Sequence, residues 1–511
     1  MKRNRLIPIL LAAVMAMSAV PVAVGAAEAS SDPVVLDVFL NHTWYPTDKF
    51  EGIIPETITE KTGVKLNATR AVDANQLGLM MASGDLPDII FTDQELSRLS
   101  NDSLCYSYTD LIAQYAPEWK PSEMAIANAT ASSQDGKYYF LYSHAYTAEE
   151  YANATSGFPM SSSLLYRGDI AEELGFPADK LNTMDDLDAL YAKVHETYPD
   201  MEVLVYGPVL NFGYFDIQWA LTGNTSWVEK DDGTYVHTVA SENYYNARKK
   251  LNEYFRLGYI NPDSFAYDES TADGLIYTGG SFSYENATQG YAATFTEMGK
   301  AYNPDLKILE MKPLGEDAAY RLVHLGWAAT FISKACKNPE AAIKLMEYLF
   351  SPEGARLTMW GREGIEYTLS EDGAPIFSDE WVEATKDEAL FASKYNTNFY
   401  FGTTGLTEAI GRTAHLSAEY QDVYDLMRQK IVAAPWFGLA EPKDPNSDPF
   451  IQTEKLKELK ENFDARLVMA ESDAEFEKIY AELLDAARKI GLDSLTEYMN
   501  AEITRCKALY E

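Results

Sequence analysis

The sequence predicts an α/β protein built as two lobes, and three observations predict it. Short apolar runs alternate with amphipathic helical stretches along nearly the whole chain. The chain has 511 residues, more than a single hydrophobic core usually organises. Of these residues 46% are hydrophobic, which is enough to fill sizeable cores.

The elements follow in order. Val34-Val35-Leu36-Asp37-Val38-Phe39-Leu40 reads as a buried strand that runs into a polar and aromatic loop, Asn41-His42-Thr43-Trp44-Tyr45-Pro46. A helical stretch then ends at Gly63. Residues 64–69 alternate as a second strand, and residues 73–82 form a helix with Leu77, Met80 and Met81 on one side. Ser83-Gly84-Asp85-Leu86-Pro87 turns the chain into a third strand at 88–91. Strand–helix–strand–helix–strand argues for a parallel sheet covered by helices. Further on, Asp135-Gly136-Lys137 turns into an apolar run at 138–142, and 164–166 is a short strand. The helix at 169–174 stops at Gly175, and Thr183 caps a long one. Residues 203–206 form a strand, and Gly258 closes an amphipathic helix at 244–257. An apolar run occupies 275–277, and 306–311 is a strand. The helix at 339–350 has Pro339 in its first turn and Ser351-Pro352 beyond its end. From residue 451 the pattern is helical, interrupted at Gly491.

Composition removes several classes of function. Net charge is −36, from 42 basic and 78 acidic residues. Such a balance repels nucleic acid and anionic membrane surfaces. Cys105, Cys336 and Cys506 are far apart and odd in number, so they form no disulfide framework and read as small buried hydrophobes. There is no Gly-x-Ser-x-Gly elbow, no His-Glu-x-x-His zinc site and no Gly-rich phosphate loop. Asp231-Asp232-Gly233 lacks the rest of a calcium loop, so no metal and no cofactor is expected. Aromatic residues are abundant, with 34 Tyr, 22 Phe and 8 Trp, and rings with a polar tip suit partly polar ligands.

The first residues carry an export signal. Lys2, Arg3 and Arg5 precede an uncharged apolar stretch at 6–24, and small residues follow in Val24-Gly25-Ala26-Ala27-Glu28-Ala29. Residues 1–26 are expected to be cleaved, with Ala29 as a later alternative. No Cys follows the small residues, so no lipid anchor is expected there, and no later segment reads as a transmembrane helix. The mature protein is expected to be secreted, periplasmic or associated with the cell surface.

Five blocks together resemble the extracellular solute-binding proteins of bacterial ABC importers, in the long branch related to family 1. They are Thr62-Gly63-Val64 with Met80-Met81-Ala82-Ser83-Gly84-Asp85-Leu86-Pro87-Asp88-Ile89-Ile90; Asp135-Gly136-Lys137-Tyr138-Tyr139; Tyr166-Arg167-Gly168-Asp169 with Glu173-Leu174-Gly175 and Thr183-Met184-Asp185-Asp186-Leu187; Leu257-Gly258-Tyr259-Ile260-Asn261-Pro262; and Gly326-Trp327 followed by Asn338-Pro339-Glu340-Ala341-Ala342, Ser351-Pro352-Glu353-Gly354, Gly361 and Glu363-Gly364. The resemblance implies a hinged, periplasmic-binding-protein-like fold of type II, with the ligand cleft between the lobes. It implies chain crossings near 142–162, 325–329 and 367–376. One lobe would then hold 30–145 and 327–375, and the other 146–326 and 376–511, the last part mainly helical. The implied function is the solute-binding component of an ABC importer. It would act as a monomer and not as an enzyme, capturing a carbohydrate, in particular an oligosaccharide, by lobe closure and delivering it to a membrane permease. Many relatives carry a lipobox Cys, and this chain departs from them there.

Ligands of parallel α/β sheets sit outside the carboxyl ends of strands. That rule selects Trp44 and Tyr45 after the first strand and Asp93 after the third. A Trp face stacks on a sugar ring, and a carboxylate accepts two hydroxyls. Trp44 has an alternative as a cover for the core edge, and Asp93 as a helix N-cap. Tyr142, His144 and Tyr146 stand at the first crossing and Trp327 at the second. Tyr214, Phe215 and Trp219 belong to an aromatic stretch after a strand, and Phe282 and Tyr284 follow the run at 275–277. Trp436 and Phe437 lie in an apolar loop that would cap the cleft. Two rival functions remain at this point: a secreted glycan-active hydrolase, and a ligand sensor or adhesin on the same fold. Paired acidic residues are too common here to identify the hydrolase.

Overall fold

The computed structural model describes residues 32–508, apart from 74, 146–149, 151–156, 158–161, 207–212, 220, 222–225, 288–289, 316–317, 323–325, 372, 403–404 and 435. The expected export signal and Tyr146 lie outside the described residues.

Two sheets organise the molecule. In the first, β1 (Val34–Leu40) pairs in parallel with β2 (Val64–Arg70) and β3 (Ile89–Thr92). The helix Ile53–Thr62 makes the right-handed return from β1 to β2. Gly63 ends it at φ 69°, donating its N–H to Thr59 O, a conformation that costs glycine little. Near its start β1 alternates between exposed and buried positions, whereas Val38, Phe39 and Leu40 are all buried, as strands covered on both faces require.

The second sheet is mixed. β5 (Ser162–Arg167) lies between β9 (Ser281–Ala287) and β10 (Ile308–Met311), antiparallel to both, and β6 (Glu202–Val205) joins β9 in parallel. Three two-stranded pieces complete the strands: β7 (Trp227–Glu229) with β8 (Tyr235–His237), β11 (Tyr320–Leu322) with β15 (Ile431–Ala433), and β13 (Tyr367–Leu369) with β14 (Pro375–Phe377). The first sheet is finished late in the chain. β12 (Trp327–Ile332) inserts antiparallel between β3 and β4 (Tyr142–Ser143), giving the order β2-β1-β3-β12-β4.

Each sheet has its own core. Phe39, Ile90, Phe331 and Leu345 belong to the first, and Leu164, Tyr191, Leu204 and Ile308 to the second. A third core, around Trp227, Leu456, Phe476, Leu483 and Met499, joins the helices Asp448–Val468, Asp473–Ile490 and Leu492–Lys507 to the β7–β8 hairpin. Trp381, Tyr395, Phe399 and Phe401 pack into the first core. Residues as late as Phe401 therefore contribute to the first core. The apolar run at 275–277 lies inside the helix Glu269–Thr278, and the stretch after it is the strand β9. Hydrophobic runs this short suit either element, and only pairing decides between them. The capping box at Thr183 forms as expected, with Asp186 N donating to Thr183 Oγ1 at 3.2 Å and Thr183 N to Asp186 Oδ2 at 2.8 Å. All three cysteines are buried and free.

One buried ionic group ties the third core to the second lobe. Arg248 is fully buried on the helix Glu242–Arg256. Its guanidinium donates to both oxygens of Asp216 at 2.7 and 3.1 Å, and its Nε donates to Asp464 Oδ1 at 2.7 Å. Tyr244 and Lys460 also donate to Asp464, at 2.6 and 2.7 Å. Burial opposes ionisation of Asp464, but the charges of Arg248 and Lys460 hold it at about 2. Removing one partner leaves a buried cation half-compensated. Asp464→Ala is therefore expected to cost about 3–5 kcal/mol in denaturant unfolding, far more than loss of an exposed pair such as Lys489–Asp485.

Two carboxyls in the second lobe behave oppositely. Burial pushes Glu285 and Glu310 up to about 8. Both are then protonated in the folded chain at pH values where the unfolded chain has released its protons. Their contribution makes stability fall as pH rises from about 4.5, the ordinary glutamate value, to about 8. The Asp464 contribution acts in a separate window, between about 2 and 3.8, where stability falls as pH drops. Urea midpoints measured from pH 5 to 9 should decline, and a Glu285→Gln, Glu310→Gln double variant should flatten that decline.

Candidate functional site

The site begins at the carboxyl end of β1. Asn41 N donates to Phe91 O at 2.9 Å and its side chain to Thr92 Oγ1 at 3.0 Å, which pins the loop to β3. Tyr45 is fully buried, and its hydroxyl donates to Asn398 O at 2.7 Å. The loop is thus held at both ends, and Trp44 between them is 55% exposed. An exposed Trp on a pinned loop is a rigid flat surface offered to solvent.

Trp327 stands beside it, 5.6 Å away between ring centroids. Its position follows from an irregular backbone. Gly326 has φ 126°, Ala328 has φ 58°, and the β12–β4 register shifts between Trp327 and Ala329. His144, next to β4, also has a positive φ of 51°. Strained residues cluster here, at the end of the pairing, and the bulge re-aims a side chain that regular alternation would direct elsewhere. Asp93, exposed after β3, accepts the Trp327 indole N–H at 3.1 Å and so fixes the plane of the ring. His42 lies 5.1 Å from Trp44 and 5.0 Å from Trp327, and burial lowers its pKa against the pull of Asp93.

The floor comes from the second crossing of elements. His144 lies 5.5 Å from Trp327 and 5.7 Å from Tyr400, and Tyr400 lies 6.3 Å from Trp44. The helix Gly405–Thr413 packs close by. Gly405 N donates to Ala145 O at 3.1 Å, and Thr407 O accepts from Trp360 Nε1 at 2.8 Å. Glu408 on this helix lies 2.5 Å from His144 Nδ1 and accepts from Arg412 Nε at 2.9 Å. Burial would raise its pKa, but His144 and Arg412 hold it at about 2. Arg412 also donates to the Tyr400 hydroxyl at 3.3 Å. Tyr291 packs against the second core, and burial pushes its hydroxyl up to about 12 against the pull of the Arg412 charge. Asn286 donates to Asp273 at 3.3 Å, and burial, with Glu269 nearby, raises Asp273 to about 6.

Trp44, Tyr45, Asp93, His144 and Trp327 therefore converge, with Tyr45 as a buried support. Tyr142 sits on β4 with its ring 4.9 Å from Phe140, adjoining the group. The remaining candidates lie elsewhere. Tyr214 and Phe215 fill the second core from the short helix Tyr214–Ile217, and Tyr214 donates its hydroxyl to Lys312 O at 2.7 Å. Phe282 is buried against Tyr166 and Tyr191, and Tyr284 is buried too, because both stand on β9 inside its sheet. Trp219, Trp436 and Phe437 pack against the third core, Phe437 edge-on to Tyr235 at 5.6 Å. His42, Tyr400, Glu408 and Arg412 were not selected from sequence. His42 shares the loop of Trp44 and was within reach of the same rule, whereas the others join the site only through the helix Gly405–Thr413 and the late return of the chain. Among the described residues no group of three His, Cys, Asp or Glu could hold a metal ion, and no helix is long and apolar enough to cross a membrane.

The profile of the bacterial extracellular solute-binding protein family matches residues 54–374, more than half of the chain. Among curated proteins none matches the chain by sequence. Similar solved structures include the Streptococcus pneumoniae ABC-transporter substrate-binding protein FusA in complex with kestose, at 16% identity and a TM-score of 0.67, covering 93% of this chain and 99% of that one. A human-milk-oligosaccharide (HMO)-binding, ABC-transporter-associated solute-binding protein from Bifidobacterium longum infantis matches at 14% identity and a TM-score of 0.63, with the same coverage. The N-glycan transport solute-binding protein NgtS of S. pneumoniae, in complex with Man1GlcNAc, matches at 17% identity and a TM-score of 0.58, covering 92% and 99%. At these identities the likeness is one of fold, and the fold is that of two-lobed solute-binding proteins.

The bulge that presents Trp327 is testable. A Cβ at Gly326 would lie 2.5 Å from both Ser143 O and Tyr142 Cβ, at a φ that other residues rarely adopt. Gly326→Ala is expected to destabilise the fold by roughly 1–3 kcal/mol in denaturant unfolding. Its tryptophan emission should also shift as Trp327 is displaced.

Proposed function

Because this chain belongs to the bacterial extracellular solute-binding proteins, we propose that it captures an oligosaccharide between its lobes and passes it to a membrane permease as the receptor of an ABC importer. The observation that carries this reading is the pair Trp44 and Trp327, one exposed and the other held by Asp93, beside the carboxyl ends of β1 and β3. A sugar ring offers C–H groups to such a face while its hydroxyls seek carboxylates and amides at the edge. Asp93 keeps one oxygen for that role after accepting the indole N–H. The kestose of the FusA complex, the ligands of the HMO-binding protein and the Man1GlcNAc of the NgtS complex belong to this ligand class.

Closure would follow from contact with both lobes. A ligand shifts an open–closed balance only by binding the closed form better. Here Trp44 and Asp93 belong to the first lobe and Tyr291 to the second, with the helix Gly405–Thr413 packed close by. The basic, apolar and small-residue order of residues 1–29 supports export by a cleaved signal, which would place the receptor where it meets solute first. Among the described residues of the site, Glu408 is neutralised by His144 and Arg412 and Asp93 is fixed by the Trp327 indole, so these two do not form the acid and base pair of a glycoside hydrolase. Binding without turnover is the expected chemistry.

A thermal-shift screen of oligosaccharides tests this. A ligand at 100-fold excess over its Kd should stabilise the protein by about 2.7 kcal/mol and release no hydrolysis product. Trp44→Ala should weaken that ligand by about 1–2 kcal/mol, about five- to thirtyfold in Kd, with little change in unfolding midpoint because the ring is exposed. Stabilisation by peptides alone, or release of shortened glycans, would refute the reading.

A further inference from the structure

We infer that His42 and His144 read the hydroxyls of one sugar unit, in a subsite beneath Trp44 and against Trp327; this rests on the saccharide reading above and deepens it. The ground is a cluster of polar atoms left without partners. His42 Nε2, His144 Nε2 and Asn41 Oδ1 are closed to solvent, and none has a hydrogen-bond partner among the described residues. His42 is only 7% exposed and Asn41 only 5%. Buried polar atoms are nearly always met, because an unmet one gives up its hydration for nothing. These exceptions adjoin one pair of indoles. His42 lies 5.1 Å from Trp44 and 5.0 Å from Trp327 between ring centroids, and His144 lies 5.5 Å from Trp327.

The bonds already made fix what each atom offers. Thr92 Oγ1 donates to Gln94 O and accepts from Asn41 Nδ2, so the Asn41 amide is oriented and its remaining oxygen is an acceptor. Glu408 is held ionised and only accepts, so the proton of its contact sits on His144 Nδ1, and Nε2 is the unused position of that ring. Burial lowers the His42 pKa against the pull of Asp93, so its ring is neutral, with one N–H and one lone pair. A hydroxyl both donates and accepts, so it answers an imidazole in either tautomer and an amide oxygen alike. An apolar occupant would leave all of them unmet. Among the described residues no third His, Cys, Asp or Glu joins the pair to hold a metal ion. The two indoles divide the work. Trp327 cannot leave its place without breaking its bond to Asp93. Trp44 is 55% exposed, and its indole N–H has no acceptor among the described residues. On its pinned loop the Trp44 ring therefore tilts off His42 without losing a hydrogen bond, admitting a hydroxyl to Nε2 while its face covers the C–H side of the sugar.

The test uses the full chain and a panel of di- to hexasaccharides of the gluco, manno, galacto and fructo series, titrated by calorimetry and tryptophan fluorescence. The tightest binder is then compared with its monodeoxy derivatives. His42→Phe keeps a ring and removes both nitrogens, and it should weaken that binder about tenfold. Its urea midpoint should stay at the wild-type value or rise, because an unmet polar atom has been replaced by an apolar one. His42→Gln restores a polar nitrogen near the Nε2 position and should recover most of the affinity. His144→Asn keeps a donor for Glu408 and lacks the Nε2 position, and it should weaken binding to a similar degree. One monodeoxy derivative should lose about tenfold on the wild-type chain and nothing further on His42→Phe, the non-additivity of two groups in contact. Wild-type affinity in both His42→Phe and His144→Asn would overturn the inference. So would a deoxy loss that is the same on wild type and His42→Phe at every position, or a midpoint that falls in step with affinity. If no member of the panel binds the wild-type chain, the saccharide reading fails and this inference falls with it; if sugars bind and the deoxy losses are additive, only the inference fails.

Discussion

Everything about this molecule turns on the pairing of β12 with β3. The first sheet cannot be completed until the chain has left it, built the second sheet and returned, because the strand that closes the gap between β3 and β4 begins at Trp327. Ladder hydrogen bonds left open at β3 would be buried and costly, so the return is obligatory. Each lobe is consequently discontinuous, and the lobes are joined by several crossings instead of one linker. The same return delivers Trp327 to the rim of the first sheet, at the point where β1 and β3 present Trp44 and Asp93. The architecture and the site thus have one cause.

Electrostatics divides the molecule into parts that are locked and parts that are not. Arg248 with Asp216 and Asp464 is buried and links the second lobe to the C-terminal helices. Burying such a group is expensive unless every donor finds an acceptor, and here the guanidinium, a tyrosine and a lysine saturate two carboxylates. The ionic group at the floor of the cleft differs. Glu408 is buried, but its partners His144 and Arg412 retain partial exposure, and Arg412 stands one turn further along the same helix.

The cleft itself combines a rigid aromatic wall with an acidic rim. Rigid rings lose little entropy when a ligand covers them, and the bulge at Gly326, the pinned loop at Asn41 and the indole bond to Asp93 all serve that rigidity. Strain at His144 and Ala328 sits between those supports, where the surrounding pairing can hold it.

Much of this was legible in the sequence, for physical reasons that can be named. The parallel first three strands were readable because strands buried on both faces form continuous apolar runs, and glycines in left-handed turns mark where helices stop. Trp44 and Asp93 were readable because loops after parallel strands face the ligand side of a sheet. Tyr214, Phe215, Phe282 and Tyr284 were placed near a ligand for the same aromatic character, yet they fill the second core. A ring is apolar on both faces, and only its neighbours decide whether it is covered by protein or left to solvent. The extension of the first core to Phe401 had no local signal, since Trp381, Tyr395 and Phe399 declare an apolar surface but not which core it joins. His144, Glu408 and Arg412 illustrate the limit most clearly: 264 positions separate the first two, and no periodicity reaches that far. By itself the sequence determined the class of fold, the net acidity of the chain and the family. Tertiary structure alone decided which aromatics face outward and which charges neutralise one another, because both depend on contacts between segments that the chain brings together only after it has crossed from one lobe to the other and back.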